Sequence, residues 1–122
     1  MNKKYKIVFW QDEKGYSESQ EYIMDLKNRS LKSKDARIKL NKIVEYMEML
    51  ETYGTEIGEP YIKHIDCEIF ELRPLRDRFF FFYKQKNKYI ILNHFIKKTQ
   101  KTPKREIEKA LKLAKNFNER NL

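Results

Sequence analysis

The stretch EIFELRPLRDRFFFFYKQKNKYIILNHFIKKTQKTP, Glu68 to Pro103, decides the fold of this chain. It holds two long apolar runs, rich in aromatic and β-branched residues, joined by Gln85-Lys86-Asn87-Lys88 and flanked by arginines and lysines. Such side chains pack well on a pleated surface, so the runs read as β-strands and the short polar connection as a hairpin. Strands are expected over Glu68–Arg73, Arg78–Lys84 and Lys88–Phe95, with Pro74-Leu75-Arg76-Asp77 turning between the first two. Lys97–Thr102 follows as a basic loop without a hydrophobic residue. Cations at fixed positions on a rigid sheet can hold a phosphate in one geometry, which the same cations on a free loop cannot.

Upstream, Lys4–Gln11 begins with alternation, placing Tyr5, Ile7 and Phe9 on one side, and reads as the first strand. Asp12-Glu13-Lys14-Gly15 breaks it. Ser17 is a helix N-cap candidate, and Tyr22, Ile23 and Leu26 share one face of a helix expected over Ser17–Asn28. Ser33 is a second N-cap, after which Ala36, Leu40, Ile43, Met47 and Leu50 recur at spacings of four and three, marking a core-facing helix to about Tyr53. The two helices are expected to form an α-hairpin on one face of the sheet. Gly54 and Gly58-Glu59-Pro60 end this half, and Ile62–Ile65 reads as a short strand.

Downstream of the basic loop, Thr102 reads as an N-cap, Pro103 as the first helical position and Glu106 as close to the capping-box position. Ile107, Ala110, Leu111, Ala114 and Phe117 give the C-terminal helix one apolar face. The order β-α-α-β-β-β-α implies an α+β domain with a mostly antiparallel sheet. At 122 residues and 40% apolar content, residues 1–122 are expected to fold as one domain, large enough for a core without a disulfide or structural metal.

Charge narrows the partners. With 27 Lys+Arg against 18 Asp+Glu, the chain carries +9, which suits nucleic acid, an acidic protein or an anionic membrane surface. The single cysteine, Cys67, cannot close an intrachain disulfide and reads as a small buried hydrophobe. Ile7–Trp10 is too short for a signal peptide, and no run approaches a membrane span, so a soluble, cytoplasmic protein is expected. His64 and His94 belong to no metal-ligand cluster, no acidic cluster suits magnesium, and no Gly-rich phosphate loop occurs. Neither a metal nor a cofactor is therefore expected.

What remains is a set of cations interleaved with aromatics: Arg73, Arg76, Arg78, Tyr83, His94, Lys97, Lys98 and Lys101. Arginine grips phosphate bidentately and lysine adds a compact charge, while an exposed aromatic can stack on an unpaired base. Spacing alone leaves two readings open, a nucleic-acid grip or a set of charges that solubilise strand ends.

The segment ELR (Glu71–Arg73), an arginine opening the aromatic strand Arg78–Tyr83, and IILNHFIKKTQKTP (Ile90–Pro103) before a basic amphipathic helix resemble the phage Gp49-like, or HigB-like, toxins of the RelE/ParE superfamily. The resemblance implies a RelE-like fold and the toxin of a type II toxin–antitoxin pair. It further implies an endoribonuclease that cuts mRNA on translating ribosomes, restrained by a helix-turn-helix, HigA-like antitoxin. The family's active-site arginines carry over to Arg73 and Arg78, and its basic loop to Lys97 and Lys98. Asn93-His94-Phe95 stands where many relatives place histidine and a small residue before the phenylalanine, so His94 is offset from the family histidine.

Metal-independent cleavage then follows from general chemistry. The RNA 2′-hydroxyl attacks the adjacent phosphorus as a base takes its proton, cations stabilise the phosphorane, and an acid protonates the leaving 5′ oxygen. Arg73 and Arg78 are the expected clamp, with Lys97, Lys98 and His94 the candidates for charge or proton transfer and Arg76, Tyr83 and Lys101 for RNA contact. Two alternatives share the basic face: a ParE-like gyrase inhibitor, and a non-catalytic RNA- or ribosome-binding protein.

Overall fold

A computed structural model of the chain describes residues 2–120. Strand β1 (Lys6–Phe9) leads into helices α1 (Glu18–Arg29) and α2 (Lys34–Tyr53), then a 3-10 turn at Gly54–Ile57. Strands β2 (Ile62–Asp66), β3 (Ile69–Leu72), β4 (Asp77–Lys84) and β5 (Lys88–Ile96) follow, and helix α3 (Lys104–Glu119) closes the chain. The strands form one sheet in the order β1-β5-β4-β3-β2, antiparallel throughout except for the parallel pair β1 and β5. No helix among the described residues is long and apolar enough to cross a membrane.

The sheet is covered on both faces, which explains why Phe79–Phe82 are all buried. Alternation sends Phe79 and Phe81 toward the α1–α2 hairpin, where they meet Leu26, Ala36, Ile43 and Leu50. Phe80 and Phe82 point the other way, onto Ala110, Ala114 and Phe117 of α3. Each fully buried phenylalanine contributes on the order of 1.5–3 kcal/mol relative to exposure.

The N-caps of α1 and α2 fall where the sequence places them. The Ser17 hydroxyl accepts from the Gln20 amide at 3.1 Å, and Ser33 from Ala36 at 3.1 Å. Helix α3 differs: Pro103 is the N-cap residue itself, with extended backbone and no side-chain cap, and Thr102 lies outside the helix. Pro103 offers no side-chain acceptor, so the first turn is tied instead through Glu106, whose backbone oxygen and Oε1 accept from Asn93 Nδ2 at 3.1 and 3.0 Å. Cys67 also departs from expectation. It is exposed, with φ 49° in the tight turn between β2 and β3, because Asp66 and Ile69 are paired and a turn residue has no core to enter.

One irregularity matters for the site. Between Phe79 and Phe81 the pairing with β5 slips, so that Phe79 faces His94 while Phe81 faces Ile91. Strand β5 therefore carries one extra residue, a β-bulge, and alternation resumes out of phase beyond it. Leu92 and Asn93 both turn toward α3, whereas His94 turns toward the helical hairpin.

Candidate nucleic-acid site

Strand register assembles the cations. Glu71 on β3 and Arg73, one residue past its end, share the face of Ile69; on β4, Arg78 shares the face of Phe80 and Phe82. Glu71 pairs opposite Phe80, which makes Arg78 its diagonal neighbour across the strands and Arg73 its same-face neighbour along the chain. This is the α3 face, beyond the start of the helix. Arg78 pairs opposite Phe95 on β5, and Lys97 follows at the strand's end.

The result is an open cleft of about 470 Å³ lined by Leu75, Arg76, Arg78 and the segment Lys97-Lys98-Thr99-Gln100. The turn after β3 and the loop after β5 are bolted together here. Lys97 N donates to the Arg76 carbonyl at 2.8 Å, and Arg76 Nη2 donates to the Lys97 carbonyl at 2.6 Å. Arg78 Nη1 donates to the carbonyls of Leu75 at 2.8 Å and Asp77 at 3.0 Å. Leu75 has φ 57°, a conformation that costs a branched residue roughly 1–3 kcal/mol and aims its carbonyl at that guanidinium.

Glu71, which the sequence marked only as part of ELR, lies beneath the cations. It is 2% exposed, with Oε1 3.4 Å from Arg73 Nε and 3.8 Å from Arg78 Nε. Burial pushes its carboxyl above the usual range, against the opposing pull of Arg78, Arg73 and Lys97. Burial likewise lowers the Arg78 guanidinium from its ordinary value, with Glu71 acting in the opposite direction. Arginine remains charged at any physiological pH.

His94 belongs to a different cluster, on the hairpin face. Its ring stacks on Tyr22 at 3.8 Å between centroids and lies 4.7 Å from that of Phe79. Its Nε2 donates to Asp77 Oδ1 at 2.9 Å, a carboxylate that also accepts from the Tyr22 hydroxyl at 2.6 Å and faces Lys39 Nζ at 3.9 Å. Burial raises the Asp77 carboxyl, but the hydrogen bonds from His94 and Tyr22 outweigh it and hold the group below its ordinary value. Burial and the bond to Asp77 push the Tyr22 hydroxyl strongly upward. Successive residues of β4 thus serve opposite faces, Asp77 the hairpin and Arg78 the cleft. The bulge is why the sequence alone did not separate His94 from the arginines.

A second cleft, of about 510 Å³, lies along the part of β5 beyond its pairing with β1 and is lined by Tyr22, His94, Ile96, Lys98, Thr99 and Arg105, among others. Lys98 and Thr99 border both clefts. Helix α1 guards this edge: Ser19 Oγ donates to the Leu92 carbonyl at 2.7 Å, and Glu18 Oε1 accepts from His94 N at 3.1 Å.

Of the remaining candidates, Arg73 stands beside the cleft through Glu71. Lys101 is exposed on the basic loop, its carbonyl accepting from Thr99 Oγ1 at 3.0 Å, and lines neither cleft. Tyr83 is not brought to the site. It sits five residues along β4 from Arg78, about 17 Å away at 3.3 Å per residue, bonded to Asn87 at the hairpin turn. His64 Nε2 donates to the Cys67 carbonyl at 2.6 Å and packs on Phe70. No group of three or more His, Cys, Asp and Glu among the described residues could hold a metal.

Residues 29–115 match the family model described as phage derived protein Gp49-like. Among solved structures the chain is similar to the YoeB-YefM complex from Staphylococcus aureus, at 14% identity and a TM-score of 0.49, covering 77% of this chain and 98% of that one. No curated protein is a significant match.

Proposed function

This chain belongs to the Gp49-like family of phage-derived proteins, a toxin family of the RelE/ParE type, and on that premise we propose that it is a ribosome-dependent mRNA endonuclease. The observation that carries the reading is the convergence of Arg76, Arg78, Lys97 and Lys98 on one cleft, with Arg73 held alongside by Glu71. Four cations around one open space suit a group that gains negative charge during reaction, as a phosphodiester does on becoming a phosphorane. Arg78, anchored through Nη1 and with Nε turned to Glu71, presents Nη2 to one non-bridging oxygen, and Lys97 its ammonium to another. The 2′-hydroxyl gives its proton to solvent water as it attacks, and an ammonium of the Lys97–Lys98 pair protonates the leaving 5′ oxygen, leaving a 2′,3′-cyclic phosphate. No protein-bound metal is required by this route.

His94 is given no proton-transfer role, because it lies on the opposite face of the sheet with its Nε2 committed to Asp77. The partner that restrains the toxin is proposed to be a helix-turn-helix, HigA-like antitoxin, and the setting the cytoplasm. Induced expression followed by mapping of 5′ ends on cellular messages tests the activity. Discrete new ends in the wild type, absent from Arg78→Ala, are expected. Intact messages accompanied by DNA breaks would instead identify a gyrase poison.

A further inference from the structure

Glu71 is an expensive residue where it stands. Its neighbours on the α3 face are Ile69 and Phe80, both completely buried, so an apolar side chain would pack there. A buried carboxylate costs free energy unless hydrogen bonds satisfy it, and Glu71 Oε2 has no such partner. Arg73 Nε and Arg78 Nε, the two nitrogens nearest Oε1, are also buried without a hydrogen bond. The carboxylate therefore attracts both guanidinium groups through charge without locking either in a bidentate pair.

We propose that Glu71 is the positioning residue of the cation cleft, a buried counter-charge that sets the approach of Arg78 and Arg73 to the RNA phosphate without touching RNA itself. The proposal rests on the reading of the cleft as an RNA phosphate site. At 3.4 and 3.8 Å from the two Nε atoms, one carboxylate oxygen fixes the spacing of two cations that would otherwise repel each other apart. Arg78 is then held on three sides, by Glu71 at Nε and by the Leu75 and Asp77 carbonyls at Nη1, which leaves the Nη2 amino group to meet the ligand. A catalytic cation fixed in this way reaches the developing charge without reorganising, and misplacement by about 1 Å costs on the order of a hundredfold in rate.

The test compares wild type, Glu71→Gln and Glu71→Asp on ribosomes programmed with a defined message, with kcat and KM measured separately and folding checked by thermal melting. Glutamine keeps the shape and removes the charge; aspartate keeps the charge and is too short to reach both arginines. Both variants are expected to lower kcat about tenfold or more while KM in Glu71→Gln stays level or falls, since a negative charge has left the cleft. A merely structural carboxylate would leave kcat of the folded protein unchanged. A kcat within twofold of wild type in both folded variants overturns the proposal. Wild-type protein that cuts no message overturns the functional reading and this proposal together, a result distinct from active wild type with indifferent variants.

Discussion

At the residue scale, function and stability rest on different side chains of the same strands. Arg78→Ala removes the central cation of the cleft, and cleavage is expected to fall by two orders of magnitude or more, read as loss of mapped 5′ ends at equal protein level. His94→Gln strips the ring from between Tyr22 and Phe79 and weakens the bond to Asp77, so its expected cost is about 1–3 kcal/mol of stability in denaturant unfolding. Gly54 is a second stability position. It has φ 67°, and an added Cβ would lie 2.8 Å from the Tyr89 hydroxyl and 2.9 Å from the Tyr5 ring. Gly54→Ala should lower the unfolding free energy by about 1–3 kcal/mol without altering cleavage by the folded protein.

At the element scale, much of the architecture was legible in the sequence. Ser17 and Ser33 cap where they stand, and of the residues marked by the spacing from Ala36 to Leu50, Ala36, Ile43 and Leu50 are buried while Leu40 and Met47 pack half-buried against them. The alternation of Phe79–Phe82 is hidden in a run of identical side chains, yet both faces being covered is what such a run implies. The bulge in β5 was not legible, because nothing in Leu92-Asn93-His94 announces that two consecutive side chains face the same way. For that reason Arg78 and His94 read as one site. Cys67 and Pro103 were misread by a residue's worth of turn geometry, which single-sequence patterns fix poorly. The bulge exposes Asn93 to α3, where it is 0% exposed and ties β5 to the helix's first turn through Glu106. Asn93→Ala is expected to cost about 1–3 kcal/mol and to speed amide exchange in the basic loop at 97–103 between the two elements.

At the scale of the whole molecule, two buried carboxylates on opposite faces give opposite responses to pH. Asp77, held below its ordinary value, contributes stability that is present above about pH 4 and is lost as pH falls through its folded value. Glu71, held above its ordinary value, binds its proton more tightly when folded, so ionising it as pH rises costs stability, and that penalty persists at neutrality. Melting temperatures at pH 7 should therefore fall in Asp77→Asn and hold or rise in Glu71→Gln, the latter a gain in stability expected to accompany lost activity. On the proposed function, the net charge of +9 adds a long-range attraction to RNA that salt screens, whereas the cleft supplies the local geometry. The most direct measurement of that geometry is a crystal structure of the protein with a 2′-O-methyl trinucleotide, which cannot be cut. A phosphate within about 3 Å of Arg78 and Lys97, between the turn after β3 and the loop after β5, is the expected result. A trinucleotide bound on the hairpin face, with the cleft lacking phosphate, would contradict it.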